Sequence, residues 1–130
     1  MVWVDLVTLL AIIEFFFFVF LVGKAREKYG IKAPATTGNT EFERYFRVQQ
    51  NTLETLIMFL PALWIAAHYW PAGWMAAIGL IYLIGRLIYL RAYVQEPRSR
   101  TIGYLASILP VAALVAFGLI GIARALVASA

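Results

Sequence analysis

The chain has 130 residues, 63% of them hydrophobic and 14% charged, with a formal net charge of +4 and a mean hydropathy of +0.81. A water-soluble domain carries ~45–50% apolar and ~25% charged residues, so this composition describes an integral membrane protein, small enough for one all-α bundle. Cysteine is absent and His68 is the only histidine; disulfides, thiolate ligands and a cysteine nucleophile are excluded, and the lone histidine argues against a metal centre or a catalytic triad.

In chain order, residues 2–22 form the first apolar run, long enough at ~20 residues to span a bilayer. Its first residues, MVWVD at 1–5, carry an acid in place of Lys or Arg, and a basic stretch follows, so the run reads as a retained span and not as a cleaved signal. Glu14 lies in its middle. It reads either as a site carboxylate or, the favoured alternative, as a buried partner for Arg86 at similar depth on another helix. Residues 23–40 read as a loop, rich in Lys24, Arg26, Lys28 and Lys32 and punctuated by Gly30, Pro34 and Gly38. Asn39 or Thr40 is placed to cap the next helix.

The second helix, about 41–69, is half polar and half apolar. Its first part, EFERYFRVQQNTLE, is dense in charge and amide groups; its second part is almost wholly apolar, with Pro61 inside it. At ~1.5 Å per residue this helix exceeds the ~30 Å hydrocarbon core, so the polar part projects toward the basic loop. Arg44, Arg47, Asn51 and Glu54 are spaced 3, 4, 3, which places them on one face. Such a face must turn to a bundle interior or a wet cavity, because isolated charge is expensive in lipid. It is either a packing network or, the favoured reading, a site for a zwitterionic ligand with several carboxylates.

WPAG, residues 70–73, is a turn, flanked by His68, Tyr69 and Trp74 as an interfacial aromatic belt. The third helix, about 74–94, aligns Tyr82, Arg86, Tyr89 and Tyr93 at spacings 4, 3, 4; Arg86 in that row argues for an inward polar face. A short basic loop leads to the fourth helix, about 101–128, where Pro110 and small residues such as Ala112, Ala116, Gly118 and Gly121 allow close helix contact. The first and third loops hold nearly all the Lys and Arg, which predicts that both face the cytoplasm, with the termini opposite.

Arg26, Arg44, Arg47, Gln49, Asn51, Glu54, Arg100 and several tyrosines thus gather at one membrane boundary. The set lacks a strong nucleophile, a metal cluster and a phosphate loop. Any reaction must use a nucleophile or reductant carried by a substrate, held and activated by arginine.

FERYFRVQQNTLE resembles the FER-x-x-R-x-Q-x-N-x-x-E signature of the membrane-associated proteins in eicosanoid and glutathione metabolism, the MAPEG superfamily. The resemblance continues through TTG before the second helix, GLIYLIGRLIYLRAY and RSRTIGYLASILP, covering roughly residues 24–110. It implies a single transmembrane domain over 1–130, a homotrimer of four-helix subunits, and glutathione bound as substrate between neighbours, with no metal. Carried over by position, Arg26, Arg47, Gln49, Asn51, Glu54, Tyr89 and Tyr93 are the glutathione contacts it implies, and Arg100 is the arginine that stabilises the thiolate. Thr55 and Glu27 stand where leukotriene C synthase has a tyrosine and an arginine, and Thr101 where the prostaglandin E synthase branch has a serine. The implied activity is a membrane glutathione transferase or peroxidase acting on a hydrophobic electrophile or lipid hydroperoxide. A glutathione-dependent isomerase and a non-enzymatic lipid-binding protein are the alternatives.

Overall fold

A computed structural model describes residues 1–130 as four helices: α1 (Val2–Tyr29), α2 (Thr40–Tyr69), α3 (Ala72–Gln95) and α4 (Thr101–Ser129), the last preceded by a 3₁₀ turn, Pro97–Arg100. All four helical segments are long and apolar enough to cross a membrane. Of 105 backbone–backbone hydrogen bonds, 95 lie within the helices, as lipid requires, since no water is present to satisfy a free peptide group. The α2–α3 pair is central. Both α1 and α4 pack against each of them, with no substantial contact between α1 and α4.

The outer faces are apolar. Trp3, Ile13, Phe16 and Phe20 on α1, Ile57 on α2 and Leu119 on α4 are all exposed. This is the inverse of a soluble bundle and is the expected surface for lipid contact. Inside, Val4, Phe59, Leu63, Tyr82 and Leu114 are fully buried, and the Phe59 and Tyr82 rings stack with centroids 4.0 Å apart.

The first helix corrects the expectation that it ends at Val22. It continues to Tyr29, because Gly23 alone does not stop a helix and Lys24–Tyr29 contains good helix formers. The stop comes at Gly30, which adopts φ 67°, while the Ile31 N–H bonds to the Arg26 carbonyl at 3.0 Å. Lys24, Arg26 and Lys28 therefore sit on the last turns of α1, where cations suit the helix dipole. The true loop is 30–39. Arg26 fastens it by donating to the Ala35 carbonyl at 2.7 Å, and Asn39 caps α2 by accepting from the Phe42 N–H at 3.0 Å. The Tyr29 hydroxyl donates to Glu41 across the loop.

Glycine sets how α3 meets α4. A Cβ on Gly85 would lie 2.6 Å from the Ala106 carbonyl carbon, and one on Gly103 would lie 2.5 Å from the Tyr89 nitrogen. Two backbones approach this closely only without side chains. At the opposite end, Trp70 ties the α2–α3 turn to α4 by donating to the Phe117 carbonyl at 2.8 Å, with Arg124 over its ring.

Candidate functional site

At the basic end of the bundle, α2, α3 and α4 enclose a polar cleft of about 480 Å³ lined by Arg47, Asn51, Tyr89, Tyr93, Arg100 and Tyr104. α2 and α3 each contribute a pair of residues one turn apart, the spacing that puts both on one face. Arg47 and Asn51 come from α2, and Tyr89 and Tyr93 from α3. Arg100 ends the 3₁₀ turn and Tyr104 is one turn into α4. The Tyr89 and Tyr93 rings stack at 5.5 Å, Tyr104 lies 6.4 Å from Tyr89, and the Arg100 guanidinium stands 6.0 Å from the Tyr93 ring. Arg100 donates to the Pro97 carbonyl at 3.2 Å and is exposed, leaving most of its donors for the cleft.

Beneath the cleft lies Arg86, fully buried. Its Nε donates to the Ser107 hydroxyl at 2.9 Å; its Nη1 donates to the Asn51 carbonyl oxygen at 2.7 Å and to the Thr52 hydroxyl at 3.2 Å. The guanidinium stacks over the Tyr89 ring at 4.3 Å. Glu14 is buried, as expected of a partner for Arg86, but it makes no hydrogen bond with it; the hydrogen bonds of Arg86 go to neutral oxygens of α2 and α4. The α3 row itself is inward as expected, with Tyr82, Arg86 and Tyr89 all buried.

The α2 stripe divides. Arg44 donates to the Val94 and Gln95 carbonyls at 3.0 and 3.2 Å, satisfying the free end of α3, so it serves the fold. Arg47 and Asn51 face the cleft. Glu54 is exposed one turn further along and does not line it; Gln49 is half-buried and also lies outside it. Arg26 is held by the Ala35 carbonyl and lies 4.9 Å over the Phe42 ring, away from this cleft. Thr55 turns into the core, bonded to the Tyr82 hydroxyl at 2.8 Å, and Thr101 is exposed outside the cleft. Arg98 is exposed and likewise does not line it. Tyr104 was not singled out from sequence; its spacing of four from Arg100 is the signal that would have found it.

A membrane-embedded four-helix protein with an arginine- and tyrosine-lined cleft at one end of its bundle is the class these features define. The sequence profile of the MAPEG family matches residues 4–120, and the chain belongs to that family. It is similar to an uncharacterised protein of Synechocystis, 45% identical over 80% of this chain and 76% of the relative. It is also similar to human microsomal glutathione S-transferase 2, 38% identical over 91% of this chain and 80% of the relative. Bovine leukotriene C4 synthase is 36% identical over 89% of this chain and 77% of the relative. The protein is therefore an integral, multi-pass membrane protein of the MAPEG family.

Proposed function

We propose that this protein is a membrane glutathione transferase, with peroxidase activity toward lipid hydroperoxides, working as a homotrimer. One observation carries the reading. The cleft offers two guanidiniums, an amide and three tyrosines but no strong side-chain nucleophile. Such a site binds a polyanionic substrate that brings its own reactive group. A relative that is itself a glutathione S-transferase supports glutathione as that substrate.

In this mechanism Arg47 and Asn51 hold glutathione carboxylate or carbonyl oxygens, and the thiol lies toward Arg100. A free cysteine thiol has a pKa of ~8.5; a guanidinium at close range lowers it by about 1–3. The proton leaves to water, and the thiolate sulfur bonds to the electrophilic carbon while the leaving group departs with its electron pair. With a hydroperoxide, two glutathione thiols give the disulfide, and the peroxide is reduced to alcohol and water. The apolar substrate arrives from the lipid side. A groove of about 370 Å³ between α2 and α4, lined by Ile57, Met58, Pro61, Val111 and Val115 among others, opens deeper along the same pair of helices.

Glu54, one turn beyond Asn51 on α2, also lies outside the cleft. Arg26 and Gln49 lie away from this cleft and would reach one only from a neighbouring copy, which is the reason to place the complete site between subunits. The basic ends face the cytoplasm by the distribution of Lys and Arg. The test is titration of the purified protein in detergent with glutathione. Only a bound ligand raises the melting temperature with concentration. Incubation with an electrophilic aromatic compound should then consume glutathione and yield a thioether. An isomerase would leave glutathione unconsumed, and a lipid-binding protein would show no turnover. Absence of a glutathione-dependent rise in melting temperature overturns the reading.

A further inference from the structure

We infer that Arg86 is a positioning residue that fixes the Asn51 amide so that the cleft reads hydrogen-bond acceptors at that point. The inference rests on the glutathione reading only for the identity of the acceptor, a carboxylate or peptide carbonyl of the substrate.

The chemistry is asymmetric. A guanidinium has donors and no acceptor. The 2.7 Å contact from Arg86 Nη1 therefore fixes the Asn51 oxygen, Oδ1, against Arg86. An unconstrained asparagine offers either its oxygen or its nitrogen to a ligand; here the oxygen is turned to Arg86, so the nitrogen, with its two hydrogens, is the end left for the cleft that Asn51 lines.

Two other partners of Arg86 are already committed as acceptors. The Ser107 hydroxyl donates to the Gly103 carbonyl at 2.8 Å, and the Thr52 hydroxyl donates to the Val48 carbonyl at 2.8 Å. Each is left with lone pairs for Arg86. The guanidinium is thereby locked from α2 and α4, with Tyr89 across its face. Arg86 is 0% exposed, so it acts on a ligand only through Asn51 or through its field.

A double-mutant cycle separates the two routes. Arg86→Gln in the natural background should weaken glutathione binding roughly tenfold, the loss of one good hydrogen bond, and raise KM while sparing kcat at saturation. In an Asn51→Ala background the same change should have little effect. Equal losses in both backgrounds would overturn the inference, since they would mean a general field or structural effect. If Arg86→Gln does not fold, Asn51→Asp decides. Its carboxylate still accepts from Arg86, so the protein should melt as the wild type does. It also presents an anionic oxygen where the donor stood, so glutathione should bind more weakly than to Asn51→Ala. Binding as tight as to Asn51→Ala, or tighter, would overturn it. The ligand-free wild type supplies a reading independent of glutathione: by NMR, the Asn51 side-chain amide hydrogens should exchange freely with cleft water. Protection of those hydrogens sinks the inference whatever the protein binds.

Discussion

Gly103 of α4 abuts the backbone of Tyr89 in α3 so closely that a methyl group on Gly103 would lie 2.5 Å from the Tyr89 nitrogen and 2.6 Å from its Cα. This crossing fixes the separation between the tyrosines of α3 and the Arg100–Tyr104 pair of α4, and with it the width of the cleft. Gly103→Ala meets backbone, not the end of a flexible side chain, so the helices must separate. Overpacking of this kind costs about 1–3 kcal/mol. The expected outcome is a lower melting temperature in detergent together with weaker glutathione binding. Gly73→Ala, at a helical site with no heavy atom within 4 Å of the added methyl, should lower neither.

Arg100 and Arg98 sit two residues apart on the same basic turn, yet only Arg100 lines the cleft. Arg100→Ala should lower turnover strongly while glutathione still binds. The ultraviolet absorbance of the bound thiolate at neutral pH should fall, and the pH–rate profile should move toward the free thiol value of ~8.5. Arg98→Ala should do little. If the two variants behave alike, the thiolate role belongs elsewhere, with Arg26 next to test.

Arg47 lines the cleft, whereas Arg44 caps α3. Arg47→Ala should weaken glutathione binding by about tenfold to a hundredfold, the value of a charged hydrogen bond of ~1.5–3 kcal/mol, and leave the ligand-free melting temperature nearly unchanged. Arg44→Ala should show the opposite pattern, because it frees the Val94 and Gln95 carbonyls. Calorimetric titration and thermal melts on the two variants check the contrast.

The assembly prediction rests on the family resemblance, which implies a homotrimer with Arg26 among the glutathione contacts, whereas Arg26 lies away from the cleft of its own chain. Native mass spectrometry in detergent should show three chains per particle. Chains carrying Arg47→Ala and chains carrying Arg26→Ala, each weak in binding alone, should regain part of the wild-type sites when co-expressed, because some clefts then combine an intact Arg47 with a neighbour's intact Arg26. A dominant monomer that binds glutathione would sink the trimeric site.

The number of spans, the polar first half of α2 and the inward row of α3 were legible in the sequence, because in a bilayer the cost of exposing charge or peptide groups to lipid turns hydropathy and helical spacing directly into architecture. The family was legible for a related reason: FERYFRVQQNTLE and its continuation keep their chemistry in one contiguous stretch. The partners were not. The choice by Arg86 of Asn51, Thr52 and Ser107 over Glu14, the use of Arg44 to end α3, the turning of Thr55 into the core and the entry of Tyr104 into the cleft were decided only by the tertiary structure. Each depends on which turns of neighbouring helices come level. That register is set by where two backbones can approach, at Gly85 and Gly103, and helical periodicity assigns a residue to a face of its own helix without saying which turn of another helix it will meet.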